Sequence, residues 1–135
     1  MPAYLRKRFQ RVKNCAVGFV LGRYSSEENI LDLKWLPVKE RIESNIAKLA
    51  FKAINYPNMS GYLSVNTKTH NRVLRSSSNG ATLEIPSINK TFEYSTANTF
   101  DNLPIQIREN YNYNSFVNAA NLFYAEGAFD RICNV

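Results

Sequence analysis

The sequence predicts a mainly α-helical domain with one short β-hairpin. Two observations carry that prediction. Residues 33–55 hold one clear helical period, in which Val38, Ile42, Ile46, Leu49 and Ala53 recur at spacings of four, four, three and four. Residues 4–21 repeat the pattern, with Leu5, Phe9, Val12, Ala16, Phe19 and Val20 on one face. Alternation with a period of two is confined to the brief runs Thr82–Ile85 and Thr91–Tyr94. At 135 residues the chain is one domain at most, long enough to bury roughly two thirds of its unfolded surface.

The first helix is expected over Tyr4–Leu21, with Gly22 as its stop. Its apolar face suits packing on protein. Lys7, Arg8 and Arg11 cluster away from that face, and Arg6 and Lys13 flank its other side. Ser25 and Glu28 have capping-box spacing and open a short helix, which Ile30, Leu31 and Leu33 seat against the central one.

Pro37 suits the first turn of the central helix, and Trp35 and Leu36 can fold back on it as a staple. Arg41, Asn45, Lys48 and Lys52 form a second stripe along this helix, with no acid in it. A solvated flank is the common reading of such a stripe, and an anionic partner is the alternative. Asn55-Tyr56-Pro57-Asn58 ends the helix, and Tyr62, Leu63 and Val65 are expected to be buried again. Thr67–Gly80 reads as a polar loop carrying Lys68, Arg72 and Arg75, suited to phosphate or to plain solvent.

The two alternating runs make the expected hairpin around Pro86–Lys90. Phe100, Leu103, Ile105 and Ile107, interrupted by Pro104, suggest a helical turn on each side of the proline. A last helix is expected from a cap at Asn114 or Ser115, with Phe116, Ala119, Ala120 and Phe123 on one face and Gly127 as its stop. The domain is thus expected over residues 1–127, with a loose tail over 128–135.

Charge is distributed unevenly. The net charge is +6, and residues 1–24 carry six bases and no acid. From residue 25 onward bases and acids balance. A basic arm on a neutral body points to an anionic partner at that end, most simply nucleic acid. A membrane-surface or organelle-import helix is the rival reading of the same pattern.

Catalytic signatures are missing. There is no Walker loop, dinucleotide fingerprint, HExxH or GxSxG, and the aspartates at 32, 101 and 130 are isolated. The single histidine, His70, has no partner that the sequence can show. Cys15 and Cys133 make neither a zinc site nor a disulfide framework, so no metal or other cofactor is expected. No run of about 18 apolar residues is present, so no membrane partner is expected and a cytoplasmic or nuclear location is the default. The chain alone is expected to be noncatalytic.

Several segments in order carry a family resemblance. Phe9-Gln10-Arg11-Val12-Lys13-Asn14-Cys15-Ala16 resembles a helix of the form LQRxQNxAAR, and Leu33–Ile42 resembles LxWLPVxxRI. Leu49–Asn55 resembles LLxFKALN, Gly61–Ser64 resembles SYLS, and Arg72–Ser77 resembles SRxLRSS. Ile85-Pro86, Lys90-Thr91 and Phe100–Arg108 resemble VP, KT and LWNSLPxxIR, with Phe100 at the usual tryptophan. The ordered set is similar to the C-terminal region of LINE-type (non-LTR) retrotransposon reverse transcriptases. That region follows the palm and thumb and lacks the polymerase aspartates and the endonuclease. The resemblance implies a noncatalytic module that helps hold template RNA and target DNA, with Arg11, Lys13, Arg41, Arg72, Arg75 and Arg108 at its recurring basic positions. The implied partners are an RNA or DNA backbone and the thumb or palm of a polymerase. The alternatives are a protein-interaction or self-associating module, and a relic with no selected activity.

Overall fold

A computed structural model describes residues 1–24, 26–56 and 92–133. They form six helices: α1 (Ala3–Leu21), α2 (Glu28–Asp32), α3 (Val38–Asn55), α4 (Phe92–Asp101), α5 (Ile105–Arg108) and α6 (Tyr113–Cys133). There is no strand among the described residues. The second arm of the expected hairpin is wrong, because residues 92–94 lie in α4. The first arm, Thr82–Ile85, lies outside the described residues, as do Ser25, the apolar segment 62–65, and the loop with Lys68, His70, Arg72 and Arg75.

The chain groups into two compact units, residues 1–44 with 121–135, and residues 45–120. In the first unit, α1 ends as its sequence predicts. Gly22 adopts the left-handed conformation at φ 65°, and the N–H of Arg23 reaches back to the carbonyl of Gly18 at 3.1 Å. The face that α1 packs is not the apolar one. Val17 is its one fully buried residue, with Leu5, Gln10, Lys13, Asn14, Gly18 and Leu21 half-buried. Phe9, Val12, Ala16, Phe19 and Val20 are exposed.

Polar demand at the start of α3 accounts for this rotation. A helix start has backbone N–H groups without intrahelical partners. Val38 N–H donates to Oε1 of Gln10 at 2.8 Å, and Gln10 is itself steadied by donating to Asn14 at 2.9 Å. One residue before the helix, Pro37 is buried and its carbonyl accepts the N–H of Arg41 at 2.9 Å. Leu36 is buried as expected of a staple, but Trp35 stays exposed. Glu27 stands at the cap position of α2 without a side-chain hydrogen bond, and the expected capping box rests on Ser25, outside the described residues. Ile30 is fully buried.

The deeply buried line of α3 also differs from the apolar stripe. In the first unit it comprises Glu40 and Ser44, whereas Val38 and Ile42 are only half-buried. Polar partners explain it. Ser44 Oγ donates to Oδ1 of Asn121 at 2.8 Å, and Glu40 accepts from Arg131. Arg131 also reaches Glu27 at 3.3 Å. The tail expected to be loose is therefore helical to Cys133, with Ala128 fully buried. Gly127 does not stop the helix.

The second unit has an aromatic core. Phe51 stacks on Phe116 with ring centroids 4.4 Å apart, and Phe100 lies 6.3 Å from Phe116. Ala47, Ala50, Ala97, Leu103 and Ala120 fill in around them, all buried. Here too the apolar stripe of α3, Ile46, Leu49 and Ala53, is only half-buried. Pro104 divides α4 from α5 as the sequence indicates, its carbonyl accepting the N–H groups of Ile107 and Arg108. The last helix is capped by Asn112, not by Asn114 or Ser115. The Oδ1 of Asn112 accepts the N–H of Asn114 at 2.9 Å, and its carbonyl accepts that of Phe116 at 3.0 Å.

Candidate nucleic-acid interface

The predicted basic residues divide between the two units. In the first, α1 presents Lys7, Arg8 and Arg11 to solvent. Their spacing of one, three and four places them on one side of the helix as neighbours. Arg6 is exposed on the opposite flank. Among the described residues none of these four side chains has a carboxylate within ion-pair distance. With no acid in the first 24 residues, α1 cannot neutralise its own charge.

Lys13 departs from the expectation. Its ammonium donates to the carbonyl of Leu36, and the side chain is half-buried. Burial, and secondarily the positive charge of Arg41, hold its pKa below the ordinary lysine value. Lys13 thus positions α1 against the start of α3 and is withdrawn from the exposed basic side. Arg41 is exposed.

In the second unit Lys48 and Lys52 are half-buried. Lys52 places its ammonium 4.7 Å from the centre of the Tyr113 ring, a cation–π contact. That contact gives the residue a structural partner, which a bare stripe pattern does not reveal. Arg108 is half-buried in the last turn of α5. Arg72 and Arg75 lie outside the described residues. The structure therefore brings together Lys7, Arg8 and Arg11.

Exposed aromatic rings on α1 escape a reading based on charge and period. Tyr4, Phe9 and Phe19 all face solvent on the helix that carries the arginines. Apolar periodicity assigns Phe9 and Phe19 to a core, and only the packing shows otherwise.

No cluster of three or more His, Cys, Asp or Glu suited to a metal ion occurs among the described residues. Cys15 and Cys133 are both free and exposed. No described helix is long and apolar enough to cross a membrane. In comparison with known proteins, the chain matches no family model, no curated protein and no solved structure.

Proposed function

We propose that the chain is a noncatalytic nucleic-acid-binding module, a C-terminal fragment resembling that of a retrotransposon RNA-directed DNA polymerase. The observation that carries this reading is the exposed, carboxylate-free basic side of α1, formed by Lys7, Arg8 and Arg11. Side chains of this kind bind phosphate without reading sequence, because the charge is regular along a backbone and the base edges are not engaged. The ordered family resemblance supports the same reading, and it implies that the polymerase aspartates are carried elsewhere.

The test is fluorescence anisotropy with a labelled single-stranded RNA at several salt concentrations. Replacing Lys7, Arg8 and Arg11 together with Gln keeps the helix and removes the charge. Affinity at low salt should fall at least tenfold. The slope of log affinity against log salt should shrink by roughly 2, as expected for three lost phosphate contacts on a single strand. Unchanged affinity in the triple variant would remove this function.

A further inference from the structure

The exposed apolar face of α1 has a second regularity. Leu5, Phe9, Val12, Ala16 and Phe19 are spaced four, three, four and three, which is the heptad seam of a helix that packs along another helix. Leu5 is half-buried, but the rest of the seam faces solvent, with Phe9 53% exposed, Val12 67% and Phe19 90%. Large apolar side chains lined up in this way on a surface mark an interaction site. Arg6 lies along one edge of the seam and Arg8 along the other, both exposed at the flanking positions that set partner choice in paired helices, while Lys13 of the first edge is tied to the carbonyl of Leu36.

From this placement we infer that the seam receives an α-helix of another protein, apolar along its centre and acidic along both edges. A second copy of this chain is the wrong occupant. Pairing two such seams brings together two helices rich in arginine and lysine and free of acid, with Arg6 and Arg8 at their edges, and like charges brought together oppose association. A partner with glutamates at the flanking positions converts the same charges into attraction. The interface is distinct from the phosphate-binding side and does not rest on it; the two share only Arg8.

The probe is a synthetic three-heptad peptide with leucine or isoleucine along its seam and glutamate on both edges, titrated into the purified full chain. It should bind, and binding should weaken with salt. A scrambled peptide of the same composition, and a version with lysine on both edges, should bind at least tenfold more weakly. The double variant V12Q/F19Q should lose at least tenfold in affinity while keeping its helical circular dichroism. If that variant unfolds, R6Q/R8Q decides the matter, since it keeps the seam and should weaken binding and flatten its salt dependence. Absence of binding, equal affinity for the lysine-edged or scrambled peptide, or no change in these variants would overturn the proposal. So would a dimer of the chain alone in light scattering that V12Q/F19Q abolishes, which assigns the face to a second copy. Binding of phosphatidylserine-containing vesicles in place of the peptide, lost in the same variant, would overturn it in favour of a lipid surface.

Discussion

Arg131 holds Glu40 through two nitrogens, with Nε 3.1 Å from Oε1 and Nη2 3.3 Å from Oε2. This is a bidentate pair, the geometry in which a guanidinium and a carboxylate bind most strongly. The glutamate side chain is only 6% exposed and the arginine is open to solvent on one side. A third contact, from Nη1 to Glu27 at 3.3 Å, ties the approach to α2 into the same arginine.

Removing the arginine alone leaves a carboxylate buried without its partner. Arg131→Met should cost about 1–3 kcal/mol in denaturant unfolding, at the low end of such losses because the pair is half open to water. Replacing both residues, as in E40M/R131M, should cost less than the single change, since no charge is then left stranded. A loss in E40M/R131M equal to the sum of the two single losses would mean that the pair is not coupled.

Glu43 gives stability a dependence on pH. Burial, with the neighbouring Glu40 acting in the same direction, raises its pKa against the opposing charges of Lys39, Arg6 and Arg131. A carboxyl with a raised folded-state pKa contributes stability that is complete below its unfolded value and is lost as pH rises through the folded value. Glu43→Gln should therefore stabilise the protein at neutral pH, with the gain vanishing once pH falls below the ordinary glutamate range. Thermal unfolding of both proteins across that span checks the sign.

Two glycines should respond in opposite directions to alanine. Gly127 lies inside α6, where an added Cβ meets nothing within 4 Å. Gly127→Ala should stabilise by about 0.5–1 kcal/mol through lower chain entropy and better helix propensity. Gly22 has φ +65° at the end of α1, and a side chain there is strained even in open space. Gly22→Ala should destabilise by about 1–2 kcal/mol. Midpoints of urea unfolding distinguish the two.

Phe116 is fully buried between Phe51 and Phe100. Phe116→Ala opens a cavity at the centre of the aromatic cluster and should cost about 3–5 kcal/mol. The measurement is the same unfolding midpoint, together with the near-ultraviolet circular dichroism of the rings. A loss below about 1 kcal/mol would mean that the cluster collapses around the smaller residue.

Helix placement was largely legible from residue types. Gly22 ended α1, Pro104 separated α4 from α5, and residues 55–56 closed α3, because each acts through its own backbone preference. Gly127 misled for the same reason: a glycine permits a helix to end without requiring it, and Ala128 and Arg131 had partners farther on. Asn112, not its neighbours, became the cap, its side chain accepting the N–H of Asn114 and its carbonyl that of Phe116.

Faces were harder to read than elements. Apolar period pointed to Phe9, Val12 and Phe19 as core, yet α1 packs through Val17 while Gln10 and Lys13 meet the start of α3. Hydrophobic spacing counts the gain from leaving water but not the need of buried backbone groups for partners. The candidate site shows the same division. The excess of positive charge in α1 follows from residue identities, whereas which cations are available for a ligand follows from where each side chain ends.

The residues alone determined that this chain is mainly helical, that its net charge lies in the first 24 residues, and where α1 and α3 end, but not that residues 92–101 form α4 or that α6 continues past Gly127. Those properties depend on local backbone preference and on composition. Only the tertiary structure decided which side of each helix is buried, that Lys13 and Lys52 have structural partners, and that an apolar seam remains open beside the arginines. Those outcomes depend on contacts between residues far apart in the chain, where the hydrogen-bonding demands of one helix set the rotation of another.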